Sequence, residues 1–354
     1  MKVESHDLCK RCVMPRSALG FVETHGGCNF CESAEAETKS GSLKRFGWEQ
    51  VEDLRSRSKA NWDCVMGVSG GVDSSYAVLK AVEKGFRPLL VHMDNSWNSE
   101  TAAANISRLV ASFNLDLVTY VLDWPSYRMS MQALLNADVV DIELLYDNAM
   151  RATVYSVASK LKIPLVLSGS NTNTEGVIFP ENWNWFKLDK TNLKSIIGRK
   201  TLANLPTIGV VEYASKTILY GIRWVPFLDL FEYKKDRAIS ELVDSFGYKP
   251  YPYKHYENVF TRFYQGFLLP EKFGIDKRSI HFSSLVVAGQ MRREDALAEL
   301  NTSAYPSDFE LERDKRFFLK KMNWQQEDLQ QYIDRPPRDH SEFRSSEVLR
   351  MLKR

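Results

Sequence analysis

Seven consecutive residues combine two glycines, three serines and one aspartate between a short apolar run and a segment with helical spacing. They are Ser69-Gly70-Gly71-Val72-Asp73-Ser74-Ser75. The glycines let backbone amides approach a phosphate closely, and the positive end of the following helix points at the same place. Neither a Walker loop nor a dinucleotide G-x-G-x-x-G fits the string. It therefore predicts a phosphate-binding loop; the alternative is a glycine turn whose serine caps a helix.

Asp73 places a carboxylate inside this predicted phosphate loop. Two anions repel each other unless a cation lies between them, and Mg²⁺ prefers carboxylate and phosphate oxygens as ligands. We therefore expect Asp73 to bind Mg²⁺ beside the phosphate.

Four of the five cysteines form the pattern C-x2-C-x15-C-x2-C, at Cys9, Cys12, Cys28 and Cys31. Four thiolates at this spacing suit tetrahedral Zn²⁺ and leave no open position for a catalytic water. The pattern predicts a structural zinc site; the alternative is four unrelated buried cysteines. Cys64, the fifth, lies inside an apolar run and is predicted to be a buried side chain rather than a nucleophile.

The elements that must position these residues alternate between strands and helices. Apolar runs predict strands at residues 63–68, 88–93, 115–122, 163–167 and 223–230, and helical spacing marks residues 74–84, 100–113 and 139–162. This alternation predicts an α/β fold with a doubly wound parallel sheet. The predicted organisation is a zinc module at 1–44 with a linker from residue 32, a sheet domain at 45–231, and a mostly helical region at 232–354.

The overall composition excludes several classes of protein. Net charge is +2 with 26% charged residues, which is too balanced for a protein that coats nucleic acid. No apolar run approaches the length that spans a bilayer, and the first residues lack the apolar core of a signal peptide. The sequence therefore predicts a cytoplasmic protein with no membrane span and no nucleic-acid partner.

The loop from Ser69 to Ser75 resembles the signature of the ATP pyrophosphatase superfamily. These enzymes cleave ATP between the α and β phosphates, transfer AMP to a carbonyl or amide oxygen, and let a nitrogen or sulfur nucleophile displace it. The resemblance implies ATP binding by the loop, with adenosine near Asp94 at the end of the second strand. It also implies a binding segment after the fourth strand, at Ser168–Glu175, which includes Gly169.

Further stretches are similar to the N-acetyl sugar amidotransferases of bacterial surface-glycan synthesis. They are Cys9–Pro15, Ser168–Gly176, Phe260–Gln265, Asp276–Arg278 and His281–Glu299. The resemblance covers nearly the whole chain, although some relatives have an additional C-x-x-C in mid-domain that this chain lacks. It implies conversion of the N-acetyl group of an amino sugar into an acetamidino group, in lipopolysaccharide, O-antigen or related synthesis. The substrate would be an N-acetylated sugar, expected to be linked to a nucleotide.

Ammonia is expected to come from a separate glutaminase subunit, as the resemblance also implies. Glutamine hydrolysis needs a reactive nucleophile, usually a cysteine, and this chain offers none beyond the predicted zinc ligands and Cys64. The zinc module is a plausible interface for a homodimer.

Three basic residues, Lys277, Arg278 and His281, are candidates for clamping a phosphate or a sugar carboxylate. We assign catalytic roles to Lys277 and Arg278, although a solvated helix start explains them equally well, and the sequence leaves open whether ATP or the sugar is bound. Glu175 is a candidate for binding Mg²⁺ or orienting ammonia, with a helix-start carboxylate as the alternative.

Aromatic residues and one arginine offer weaker candidates. Trp183 and Trp185 fit either a sugar-stacking surface or a packed core. Arg262 fits either a second anion contact or a surface arginine that shields apolar neighbours. Two other functions remain open: a tRNA thiolase of the same superfamily, and a zinc adaptor without catalysis. The first would need a reactive cysteine, and the second would leave the phosphate loop unexplained.

Overall fold

The structure, a computed structural model, describes residues 4–40, 46–251 and 256–346. It begins with a small module containing strands β1 (Glu23–Thr24) and β2 (Gly27–Cys28) and helix α1 (Asn29–Ser40). The prediction of a linker from residue 32 is wrong up to Ser40, because this segment continues helix α1. Its alanines and glutamates favour helix, and Ala34 is buried against the module. The rest of the predicted linker, residues 41–44, lies outside the described residues.

Strands and helices then alternate along the chain. The elements are α2 (Trp48–Ser56), β3 (Cys64–Gly67), α3 (Val72–Glu83), β4 (Pro88–Asp94), α4 (Glu100–Phe113), β5 (Asp116–Val121), α5 (Trp124–Asn136), α6 (Leu144–Leu161), β6 (Leu165–Ser168), α7 (Thr172–Glu175), α8 (Lys190–Ile197), α9 (Arg199–Leu202), α10 (Val210–Ile218) and β7 (Arg223–Pro226).

A five-stranded parallel sheet has the order β5-β4-β3-β6-β7, which confirms the predicted fold class. In the register, Val65 of β3 lies between Leu89 of β4 and Val166 of β6. Both faces of β3 are covered, because Met66 packs in one apolar cluster and Val65 in another. Burial on both faces explains why the central strands read as continuous apolar runs in the sequence.

Two sequence predictions differ from the observed elements. The long helix predicted at 139–162 begins only at Leu144, and α5 precedes it; the Asp123 carboxylate caps α5 by accepting the Ser126 amide at 2.9 Å. The strand predicted at 223–230 ends at Pro226, because proline has no amide hydrogen to continue the ladder. A 3-10 turn occupies Phe227–Leu230.

The region after the sheet is helical, as predicted. It contains α11 (Lys235–Phe246), α12 (Val259–Phe263), a π-helical segment at Tyr264–Leu268, α13 (Leu269–Phe273), α14 (Arg278–Val287), α15 (Arg293–Leu300), α16 (Asp308–Met322) and α17 (Gln326–Asp334). Helix α14 packs on α7 and α1, so this helix lies against both the sheet domain and the N-terminal module. Among the described helices, none combines the length and apolarity that a membrane crossing requires.

Candidate functional site

The predicted phosphate loop joins β3 to α3, and Gly71 is the N-cap of α3. Gly70 has φ +79°, and a Cβ there would lie 2.6 Å from the Ala102 carbonyl oxygen, so only glycine fits. The Gly70 carbonyl accepts hydrogen bonds from the hydroxyls of Tyr251 at 3.0 Å and Tyr248 at 3.3 Å. The loop is therefore held against α4 and against the segment that follows α11.

Serine side chains tie this loop together. The Ser69 amide donates to Ser74 Oγ at 3.3 Å, and the two hydroxyls lie 3.2 Å apart. The Gly71 amide donates to Ser69 Oγ at 3.2 Å, and the buried Ser75 begins the helical hydrogen bonds by donating its amide to Gly71. The predicted loop residues thus form a rigid turn that leads into a helix N-terminus, where anions bind readily.

The loops after β3 and β6 touch each other. A Cβ on Gly169 would lie 2.6 Å from the carbonyl carbon and oxygen of Asp73 and 2.8 Å from the Ser74 nitrogen. Strands β4 and β5 lie on one side of this pair, and β7 lies on the other, so the strand order reverses between β3 and β6. Open α/β sheets bind ligands in the crevice at this switch point. Asp73 and Gly169, predicted separately, therefore share one site.

Asp73 is oriented by a residue that the sequence analysis did not identify. The Tyr233 hydroxyl donates a hydrogen bond to Asp73 Oδ1, and the Tyr233 carbonyl accepts from Asn173 at 2.9 Å and from Gln290 at 3.0 Å. Burial and the nearby Asp73 charge raise the pKa of Tyr233, so it remains a neutral donor. Mg²⁺ commonly binds through one or two carboxylates together with substrate phosphates, and a single oriented carboxylate fits that role.

Asp94 ends β4 on the same edge of the sheet. Its Oδ1 accepts the Ser96 amide at 2.8 Å and the Asn98 side-chain amide at 3.1 Å. Asn98 also lies 3.0 Å from His92 Nε2, and His92 Nδ1 lies 2.9 Å from the Val68 carbonyl. This network connects Asp94 to the residue just before the phosphate loop.

The remaining candidates lie around α7 and the start of α14. Glu175 is the exposed last residue of α7, and its charge helps to raise the pKa of Tyr233, after burial and the stronger effect of Asp73. His281 Nδ1 lies 3.3 Å from the Thr174 carbonyl, which places α14 against α7. Lys277 forms an ion pair with Glu143 at 3.1 Å, with both side chains largely buried.

Arg278 makes its contacts around the end of α15. Its guanidinium binds Asp276 and donates to the carbonyls of Glu299, Leu300 and Thr302 at the end of α15. Capping the last carbonyls of a helix is a structural role, and these contacts favour it. The assignment of Arg278 to catalysis stays a prediction.

Three weaker candidates are explained by packing. Trp183 and Trp185 are buried, and Trp185 stacks on His340 with ring centroids 5.0 Å apart, so the sugar-stacking interpretation is wrong for Trp185. Arg262 is buried in a bidentate pair with Asp314, at 2.5 and 2.7 Å. Its guanidinium is therefore paired within the protein, and both interpretations of Arg262, as a contact for a bound anion and as a surface residue, are wrong. Cys64 is fully buried in β3, as predicted, and burial raises its pKa.

The four cysteines of the N-terminal module converge in one buried group, which we call the four-cysteine cluster: Cys9, Cys12, Cys28 and Cys31. Their sulfur atoms all lie within 4.8 Å of one another. Cys28 Sγ lies 3.8 Å from Cys12 Sγ and 3.7 Å from Cys31 Sγ. Sulfurs bound at about 2.3 Å to a tetrahedral Zn²⁺ lie about 3.8 Å apart, so the geometry fits this metal. Backbone amides of Arg11 and Cys28 donate to two of the sulfurs.

The four-cysteine cluster is attached to the C-terminal helices. Arg293 of α15 donates to the carbonyls of Cys9 at 2.9 Å and Cys12 at 3.1 Å. On α14, Ser283 Oγ accepts the Val13 amide at 3.1 Å, and the adjacent Ser284 Oγ accepts the Val177 amide at 3.1 Å. Since Val177 follows α7, helix α14 connects the four-cysteine cluster to the loop after β6.

We expect the purified chain to contain one zinc ion, and Cys12→Ser to lose that zinc together with much of its thermal stability. Binding free energy at such sites contributes directly to folding. Metal analysis by mass spectrometry and thermal unfolding would measure both effects. Cys64→Ala is the matched control and should retain the metal. Absence of zinc, or visible absorbance from an iron–sulfur cluster, would contradict the prediction.

Comparison with known proteins gives one family match and similar solved structures. Residues 257–354 match the family described as "LPS biosynthesis protein WbpG-like, C-terminal domain". NMN synthetase from Francisella tularensis is 14% identical, with 59% of this chain and 93% of that chain covered and a TM-score of 0.31. The NH3-dependent NAD synthetase from Campylobacter jejuni is 14% identical, with 61% and 93% covered and a TM-score of 0.28. No curated protein matches significantly.

The family match begins just before α12 and extends to the end of the chain, so it includes α14, which contacts both α7 and the N-terminal module. The C-terminal helical region is therefore similar to the C-terminal domain of WbpG-like LPS biosynthesis proteins.

Proposed function

We propose that the chain is an ATP-dependent, AMP-forming amidotransferase that converts the N-acetyl group of an amino sugar into an acetamidino group. The observation that carries this proposal is the contact between Gly169 and Asp73, where the loops after β3 and β6 meet at the switch point of the sheet. The similarity of residues 257–354 to a domain of LPS biosynthesis proteins supports a role in surface-glycan synthesis.

The proposed reaction has two steps. The acetamide oxygen attacks the α phosphorus of ATP, the bond to the β phosphate breaks, and pyrophosphate leaves. Ammonia then adds to the carbon of the resulting O-adenylyl imidate, and AMP departs with the former amide oxygen after the added nitrogen has lost a proton. The first step is needed because an amide oxygen is a poor leaving group, whereas AMP is a good one.

The residues of the phosphate loop fit the leaving pyrophosphate. The proposal assigns the pyrophosphate to the backbone amides of Gly70 and Gly71 at the N-terminus of α3, beside the hydroxyls of Ser69 and Ser74, which lie 3.2 Å apart. Such preorganised donors stabilise negative charge as it develops. Asp73 would hold Mg²⁺, which would neutralise charge on the phosphates. Asp94 lies on the same edge, where the proposal places adenosine.

The cysteines argue against thiolation. A tRNA thiolase needs a reactive cysteine or cysteines that hold an iron–sulfur cluster. Cys64 is fully buried, and the other four form the four-cysteine cluster, so the chain has no accessible thiol to receive sulfur. The sulfurs of the four-cysteine cluster lie within 4.8 Å of one another, which fits a single tetrahedral metal ion rather than an iron–sulfur cluster. The proposal therefore takes ammonia as the nucleophile. It also takes a separate glutaminase as the source of ammonia, because no cysteine is placed to hydrolyse glutamine.

When ATP, an N-acetylated nucleotide sugar and an ammonium salt are supplied, the purified chain should form AMP and pyrophosphate in equal amounts. The sugar product should be lighter than the substrate by about 1 Da, because NH replaces oxygen. Chromatography of the nucleotides and mass spectrometry of a panel of N-acetylated nucleotide sugars would test this. Glutamine alone should support no turnover. Formation of ADP, or AMP release that is independent of both sugar and ammonium, would overturn the proposed reaction.

A further inference from the structure

A group of polar side chains meets just before the N-terminus of α6. Glu143 Oε2 accepts hydrogen bonds from Gln265 Nε2 at 2.8 Å and from Lys277 Nζ at 3.1 Å. The Lys277 and Glu143 side chains are only 12% and 10% exposed. Two of the three residues, Gln265 and Lys277, belong to the region that matches the LPS biosynthesis family, and the third belongs to the sheet domain.

Gln265 lies in an unusual piece of helix. The segment Tyr264–Leu268 is π-helical and interrupts an otherwise α-helical run between α12 and α13. Such segments are rare and are frequently found at functional sites, because they redirect side chains that a regular helix would place elsewhere. The Tyr264 hydroxyl on this segment is buried, and among the described residues none meets it in good hydrogen-bonding geometry.

An aromatic ring lies beside these polar groups. The centroid of the Phe179 ring is 5.7 Å from Lys277 Nζ, and Phe179 is 38% exposed. The ring of Tyr264 lies at the same distance from the ammonium group, so Lys277 is held near two rings. Aromatic surface combined with a few placed polar groups is the usual lining of a small-molecule site. We define Glu143, Gln265, Lys277 and Phe179 as the Lys277 cluster.

The Lys277 cluster and the phosphate loop lie at the same edge of the sheet. Helix α6 leads back into the parallel sheet at β6, so its N-terminus lies at the edge where the strands end. The phosphate loop follows β3 and therefore lies at the same edge of the sheet. Open α/β sheets bind ligands at this edge.

We propose that the Lys277 cluster binds the acceptor sugar through its hydroxyl groups, with the sugar ring against Phe179; this rests on the proposed function. One carboxylate and one ammonium group cancel each other's charge, and the third polar group is a neutral amide. The cluster therefore favours a hydroxyl-rich ligand over a phosphate or a carboxylate. In this proposal Lys277 binds the sugar rather than ATP, which is one of the two possibilities that the sequence left open.

The test measures binding of UDP-N-acetylglucosamine and of ATP separately, by calorimetry, so that no turnover is required. Gln265→Ala and Phe179→Ala should each raise the dissociation constant for the sugar nucleotide about tenfold, the effect of losing one good contact. The dissociation constant for ATP should change less than about twofold. Phe179→Tyr, which keeps the ring, should bind the sugar nucleotide like the wild type.

Two exposed residues on other helices provide matched controls. Gln330 donates to Asp334 on the surface of α17, and Phe309 on α16 is 70% exposed, so Gln330→Ala and Phe309→Ala should leave both constants unchanged. Unchanged sugar binding in Gln265→Ala and Phe179→Ala, or no sugar binding by the wild type, overturns the proposed subsite. Normal binding that both variants weaken, in a chain that forms no AMP, supports the subsite and removes the proposed reaction instead.

Discussion

Replacing Asp73 with Asn is expected to lower turnover about 100- to 1000-fold while the protein stays folded. Asn has nearly the same shape, and its side-chain oxygen can still accept the hydrogen bond from the Tyr233 hydroxyl. What it loses is the negative charge that Mg²⁺ requires beside the phosphates. The variant thus removes the charge of Asp73 while keeping its hydrogen bond with Tyr233, which separates the electrostatic role from the structural one.

The measurement is AMP formation as a function of Mg²⁺ concentration, together with the midpoint of unfolding in urea. Asp53→Asn is the matched control, because the Asp53 carboxylate pairs with Arg57 one helical turn away on the surface of α2, and such pairs contribute little. Asp53→Asn should retain full activity. Near-normal turnover in a folded Asp73→Asn protein would remove Asp73 from the site.

The local features of the candidate site could be predicted from the sequence because short segments carry them. The phosphate loop follows an apolar run and precedes a helix, and both observed elements, β3 and α3, lie within about two residues of the predictions. The two C-x2-C pairs likewise predicted that the four cysteines form one site, and the structure places all four in one buried cluster. In both cases residues close together in the sequence share one function, so their spacing is enough to predict the site.

Contacts between distant segments could not be predicted in this way. Tyr233 contacts Asp73 although the two residues are 160 positions apart in the sequence. Glu143 contacts Gln265 and Lys277 only because α6 lies against the C-terminal helices. The π-helical segment leaves no recognisable pattern in the sequence. Side chains that are charged but buried, such as Arg262, were also misread, since the partner Asp314 lies on another helix.

The two largest groups of candidate residues are structurally connected, which single motifs do not reveal. Adjacent serines on α14 accept amides from the N-terminal module and from the segment after α7. At the start of the same helix, Lys277 binds Glu143 of the sheet domain and Arg278 binds the Glu299 carbonyl at the end of α15. A metal in the four-cysteine cluster would therefore stabilise the position of α14, and through it the loop that contains Gly169 and α7.

Gly169→Ala should lower activity about 100-fold, because the loops after β3 and β6 can no longer approach each other as they do now. The new Cβ would lie 2.6 Å from the carbonyl carbon and oxygen of Asp73 and 2.8 Å from the Ser74 nitrogen. These are backbone atoms, which cannot turn aside as a flexible side chain does. The phosphate loop must move instead, and a displacement near ~1 Å is enough for a loss of this size. Overpacking of this kind also costs about 1–3 kcal/mol of folding free energy.

The effect should appear both in the dissociation constant for ATP and in the rate of AMP formation, with a smaller change in the urea midpoint. Gly67→Ala is the matched control in the same strand-loop unit, because a Cβ there would meet a methyl group of Val154 at 3.6 Å, which is ordinary contact. Gly67→Ala should therefore bind ATP like the wild type. If Gly169→Ala folds and binds ATP as tightly as Gly67→Ala, the contact between the two loops does not form the nucleotide site, and the observation that carries the proposed function is lost.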